Sequence, residues 1–211
     1  MNTSDIAIYE REIENFKTLA LQKREDLDDN LLAKLVKNLT IFKFLEDVYD
    51  SKNHHLQCFV QDSLSIIDSL SHNSIRYYYF IERSSIENFL RIFLELENED
   101  KMGVMKLFKE SAKIVDSRKL NCEPEYELIS NHYDECCLFV HSNIAAGQPI
   151  SKYLKDILVK NDFESPQLVN QYLLRFVDLT TQMIKLICEY KENHISNAFY
   201  RKKELLIWLR N

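Results

Sequence analysis

The chain has 211 residues, a formal net charge of −6 and an isoelectric point near 5.6, which argues against broad electrostatic binding to DNA, whose partners present a basic face. Only two glycines and three prolines occur; turn-rich β architectures need both, whereas long helices tolerate neither. An all-α protein is therefore predicted, and a chain of this length buries roughly 70% of its unfolded surface without a disulfide or a structural metal.

Residues 4 to about 24 place Ile6, Tyr9, Ile13, Phe16 and Leu19/Ala20 at helical spacing. The opening MNTSDIAIYEREIENF is charged and amphipathic, unlike the apolar run of a secretory leader. DLDDN breaks the pattern and caps a second helix over about 29–50, with Leu31, Leu32, Leu35, Leu39, Phe42 and Leu45 on one side. After the polar SKNHH, a third helix over about 55–70 carries Leu56, Phe59, Val60, Leu64 and Ile67. SHNS offers Ser71, Asn73 and Ser74 as N-caps for a long central helix over 74–97. A shorter helix covers about 101–116, and Pro124 opens the next, which runs to about 142. NIAAGQP is the clearest loop and precedes a short helix at about 150–160. ESPQ supplies Ser165 as N-cap and Pro166 at the first helical position for a helix to about 191. A last helix spans about 195–210.

No internal repeat and no long linker interrupts this pattern. The chain reads as one domain, 1–211, an elaborated up-and-down bundle of eight or nine helices; alternatively, residues 1–50 form a helical hairpin appended to a bundle over 55–211. No run of about 20 uncharged apolar residues exists, so no membrane span is expected. Five cysteines, an odd number, point to reduced thiols in a cytoplasmic protein.

The central helix carries an unusual row of charges. In ERSSIENFLR, Ile86, Phe89 and Leu90, with Phe93 and Tyr79, form one apolar stripe. Arg83 falls at its edge, Glu87 just beyond and Arg91 further round, a ladder in which Glu87 is the shared partner of both arginines. Ile81 and Ile92 make the helix apolar on other sides too, so it is expected to be central, with Arg83 against the seam and Arg91 in solvent. Two readings follow: an ion-pair ladder worth a few tenths of a kcal/mol per pair, or an arginine held at a bundle seam because a site needs it.

In HYDECCLFVHSN, His132 and Cys136 share one helix face, as do Cys137 and His141. The two pairs point about 100° apart, so the four side chains do not converge, and the cysteines read as buried small apolar groups; no metal site is expected. His141 ends an apolar run beside Ser142, where it either complements the helix dipole or serves a site. Tyr77, Tyr78 and Tyr79 cannot all face one way, so at least one belongs to the core. Arg201-Lys202-Lys203 reads as a solvated helix face, and His54-His55 as a loop pair. No G-x-S-x-G, H-E-x-x-H, phosphate loop or EF-hand pattern occurs, and no cofactor is predicted.

RSSIENFLRIFLEL and, beginning some forty residues further on, YELISNHYDECCLFVHS together resemble bacterial helical proteins of the HEPN superfamily and their relatives. In those, an arginine and an acidic residue on one bundle helix face a polar segment with a histidine ending a neighbouring helix. The resemblance implies an α-helical bundle, often a homodimer, and a metal-independent ribonuclease activity in toxin–antitoxin, abortive-infection or antiphage systems. Arg83 and Glu87 would match the charged helix, and His141 with Ser142 the second segment. The superfamily's Arg-x4-6-His signature does not occur here, so a site would be assembled from separate helices or be degenerate. In such a site His141 would move the proton at the 2′-hydroxyl or leaving oxygen, Arg83 would offset the developing phosphorane charge, and Glu87 would orient Arg83. The competing reading is a non-catalytic helical interaction protein such as an antitoxin, immunity subunit or sensor, which suits the acidic charge and scattered functional groups. Both readings imply a protein partner or a second copy of the chain; the first adds RNA. The position of Arg83 relative to His141 separates them.

Overall fold

Short polar side chains start the helices much as the sequence predicts, in a computed structural model that describes residues 3–46, 53–117, 123–140, 151–152, 163 and 165–210. Among these residues are nine helices and no strand: α1 (Thr3–Lys23), α2 (Asp29–Glu46), α3 (His54–Ser71), α4 (Ile75–Phe93), α5 (Val104–Ser117), α6 (Glu123–Val140), α7 (Pro166–Tyr190), α8 (Glu192–Ala198) and α9 (Lys203–Arg210). Asp28 Oδ1 accepts from the backbone N–H of Asn30 and Leu31 ahead of α2, both at 2.9 Å. Asn53 caps Leu56, Ser74 caps Tyr77 and Ser165 caps Leu168, each satisfying an amide that the helix itself leaves unpaired.

The α3–α4 connection joins two such devices back to back. Asn73 takes a left-handed conformation (φ 57°), and the N–H groups of Asn73 and Ser74 return to the carbonyls of Leu70 and Ser69, a Schellman ending. Ser74 then caps α4, so the two helices turn back on each other within three residues. α4 ends the same way: Glu95 has φ 55°, and Glu95 and Leu96 donate to Ile92 and Arg91. The helix predicted to reach 97 therefore stops at Phe93, and Glu95 is held in its turn by Lys191 Nζ at 2.7 Å and His194 Nδ1 at 3.4 Å.

Side-chain pairs give the helix directions. Phe42 meets Phe59 with ring centroids 4.4 Å apart and Gln57 reaches Glu46, so α2 and α3 are antiparallel. Asp62 pairs with Asn88 across α3 and α4, and Tyr79 with Phe139 and Glu87 with Tyr133 across α4 and α6. Glu135 with Arg175 and Glu125 with Lys185 set α6 antiparallel to α7. α7 closes the ring on α2, where Asn38 Nδ2 donates to Thr180 Oγ1 at 2.9 Å and Thr181 Oγ1 at 3.0 Å. A ring of five helices cannot alternate direction all the way round, and α2 and α7 are the neighbours that run parallel. α1 packs outside on α2. Phe42, Phe59, Phe89, Phe93 and Phe176 are fully buried inside.

The last predicted helix is two. α8 and α9 are separated by a corner at Phe199–Lys202 with Arg201 at φ 61°. Phe199 turns inward there, its ring 4.6 Å from Phe44, which explains why one continuous helix does not form. Arg201 and Lys202 thus belong to the corner, and only Lys203 lies on a helix, as the first residue of α9. The histidines read as a loop pair instead begin α3, where buried His55 places Nε2 3.0 Å from the Glu97 carbonyl. The predicted end of the second helix at 47–50 lies outside the described residues, as does the predicted short helix near 150–160 apart from residues 151 and 152.

Candidate functional site

Arg83 lies where the helical arithmetic puts it, at the α4–α6 seam. Its Nε–H donates to Glu87 Oε1 at 3.1 Å and to Tyr133 Oη at 3.2 Å, and Tyr133 in turn donates to Glu87 Oε1 at 3.1 Å. The guanidinium also sits 5.5 Å from the centre of the Tyr133 ring. Burial opposes the arginine's charge, but Tyr133 and Glu87 outweigh it and hold its pKa above the usual value. Burial, followed by Glu87, pushes the Tyr133 phenol up, so it remains a neutral donor.

Arg91, expected in solvent, is the most enclosed of the three: its side chain is 16% exposed, against 26% for Arg83 and 23% for Glu87. The chain between α4 and α5 folds back over it. Nη1 donates to the Glu87 carbonyl at 3.1 Å, Nη2 to the Met102 carbonyl at 3.2 Å, and Asp100 stands 3.9 Å from Nε. Asp100 also accepts from the Met102 N–H at 2.8 Å, which fixes that return. Arg91 thus ties α4 to the α4–α5 connection. His141 and Ser142 lie outside the described residues.

The densest polar cluster is built on a residue that the charge ladder passed over. Glu82 is fully buried. Its Oε1 is 2.7 Å from His132 Nδ1 and accepts from Arg175 Nε at 3.0 Å; its Oε2 accepts from the Cys136 thiol at 3.3 Å and again from Arg175 Nε at 3.3 Å. Arg175 Nη1 donates onward to Glu135 Oε2. Glu135 Oε1 accepts from Tyr79 Oη at 2.7 Å, and that hydroxyl lies 3.2 Å from Tyr172 Oη. Tyr78 Oη donates to the Tyr172 carbonyl at 3.0 Å. The carboxylates of α4 and α6 thus converge on one guanidinium from α7, with His132 beside it, so the network ties three helices together.

The electrostatics follow from that enclosure. Burial works against the Arg175 charge, and the Glu82 carboxylate more than offsets it, so the guanidinium stays firmly protonated. Burial tends to raise Glu135, yet hydrogen bonds from Tyr79 and Arg175 bring it below the ordinary carboxylate value. Burial, then Glu82, pushes the Cys136 thiol well up, which leaves it without nucleophilic thiolate character. A general base needs reach to a substrate proton; Glu82 has no exposed surface and is surrounded by donors. As built, the cluster clamps helices.

His132 and Cys136 do share a face, as their spacing requires, and that face closes on Glu82. No group of three or more His, Cys, Asp or Glu side chains suited to a metal occurs among the described residues. Of the three tyrosines, Tyr78 and Tyr79 are core and Tyr77 is exposed. The sequence held a signal for Glu82: it is flanked at i−4 and i+4 by Tyr78 and Ile86 and at i+7 by Phe89, so it sits within the apolar stripe whose edge Arg83 marks. Arg175 gave less warning, because pairing it with Glu82 requires knowing that α7 lies beside α4.

No family model matches this chain, and no curated protein or solved structure matches it either. No described helix is long and apolar enough to cross a membrane.

Proposed function

We propose that the chain is a non-catalytic helical interaction protein of bacterial defence, acting as an antitoxin, immunity subunit or sensor. One observation carries this reading: the two arginines of the candidate region spend their guanidinium groups on the protein's own carboxylates, Arg83 on Glu87 and Arg175 on Glu82 and Glu135. A cation that stabilises a phosphorane must be open to the substrate oxygen; here the protein's own carboxylates already partner both guanidinium groups. The protein then works in the cytoplasm through a partner protein or a second copy of itself.

The ribonuclease effector is the second reading, favoured by the direct packing of the two segments that carry the resemblance. α4 and α6 lie side by side, with Arg83 Nε 3.2 Å from Tyr133 Oη. Expression of the chain alone in a bacterium, scoring growth and RNA integrity, separates the two. The interaction reading expects unchanged growth and intact RNA, for wild type and for His141→Ala alike. Growth arrest with RNA cleavage that is lost in His141→Ala would overturn it in favour of the ribonuclease.

A further inference from the structure

The C-terminal segment lies along α2. Lys34 Nζ donates to the Arg210 carbonyl at 2.7 Å, Lys37 Nζ stands 4.5 Å from the centre of the Trp208 ring, and Lys202 Nζ stands 4.7 Å from that of Phe44. Lys34, Lys37 and Phe44 follow one face of α2, so residues 199–210 run antiparallel to that helix for about 15 Å of its axis.

This seam inverts the charge of the molecule. Residues 199–210 contain Arg201, Lys202, Lys203 and Arg210 against one carboxylate, Glu204. With Lys34 and Lys37 the face holds six cations to one acid, in a chain of net charge −6. Among the described residues none of the six takes part in an ion pair, whereas Lys17 pairs with Glu14 and Asp29, Lys113 with Glu110 and Lys191 with Glu95. Lys34 registers the crowding, lowered first by burial and then by Lys37 and Arg210. Apolar surface accompanies the charge: Ile207 is 61% exposed and Tyr200 69%.

We propose that this α2–α9 seam docks an acidic, partly apolar segment of a partner protein, its carboxylates meeting Lys34, Lys37, Lys202 and Arg210 and its apolar side chains covering Ile207 and Tyr200. A single-stranded nucleic acid also brings regularly spaced anions, but its affinity draws on open aromatic faces for base stacking. Here cations already stand over the rings, Lys37 over Trp208, Lys202 over Phe44 and Arg201 over Tyr200, and the exposed Ile207 has no counterpart in a base. The residues of this face take no part in the α4–α6–α7 network, so the docking surface stands whichever way the growth assay falls.

The test is fluorescence anisotropy with a labelled amphipathic peptide of Glu and Leu, set against an oligouridylate of matched charge. The peptide is expected to bind the full chain at about 50 mM salt and to weaken at about 300 mM as the charges are screened. Lys37→Glu with Lys202→Glu should reduce affinity at least about tenfold, the order expected when an interface loses charge complementarity, while Lys106→Glu with Lys109→Glu on the exposed side of α5 leaves it unchanged. Should the reversed pair fail to fold, Lys37→Gln with Lys202→Gln removes the charge without introducing repulsion and should show the same loss. Absence of peptide binding, an equal loss in the α5 variant, or tighter binding of the oligouridylate would each overturn the assignment.

Discussion

Replacing Glu82 by alanine should lower the stability of the fold by about 3–5 kcal/mol, the range seen when one partner is removed from a buried charge pair. The cost arises on the other side of the pair. Arg175 would keep its charge with Glu135 as its remaining carboxylate, and His132 and the fully buried Cys136 would both lose an acceptor. Bulk packing is a smaller part of the effect, because the void left by four side-chain heavy atoms on a helix wedged between neighbours can partly collapse. For a chain of this size the loss corresponds to a fall in Tm of roughly 6–20 °C. Urea unfolding followed by far-ultraviolet circular dichroism measures it, and a change under about 1 kcal/mol would mean that the Glu82 network contributes little.

The two arginines should separate clearly. Arg175→Ala leaves a fully buried carboxylate with His132 and the Cys136 thiol alone, and should cost about 3 kcal/mol or more. Arg83→Ala removes one member of a pair that is about a quarter exposed on both sides, and Glu87 retains Tyr133 and Arg91; the loss should be about 1 kcal/mol or less. Parallel urea titrations decide the order. Were Arg83→Ala the more destabilising of the two, the weight of the network would lie on the α4 charge ladder rather than on Glu82.

Much of the fold was legible because it rests on local chemistry. Asp28, Ser74 and Ser165 announce helix starts through side chains that cap within two or three residues, and the apolar spacing of α2 and α4 survives, whereas Leu64, expected on the apolar side of α3, is 44% exposed. Endings were less legible. Asn73, Glu95 and Arg201 adopt left-handed conformations without being glycine, and the turns at Glu95 and Arg201 go with contacts remote in sequence, Lys191 on Glu95 in one case and Phe44 against the inward Phe199 in the other. The site divides the same way. Arg83 with Glu87 follows from one helix's periodicity, whereas Glu82 with Arg175 joins residues 93 apart and exists only once α7 packs beside α4. Arg91 was misplaced for a related reason: one helix's wheel shows which side faces out, not whether the following loop returns to cover it.

The most direct test of the central claim, that the buried charges of α4, α6 and α7 are a structural clamp, is the stability of the double variant Glu82→Leu/Arg175→Met. With the buried Glu82–Arg175 pair gone and comparable volume restored, only Glu135, whose side chain is 46% exposed, loses its cation; the variant should regain most of what either single alanine variant loses and lie within about 1 kcal/mol of wild type, as buried ion pairs replaced by apolar side chains commonly do. A double variant as unstable as the sum of Glu82→Ala and Arg175→Ala would contradict it.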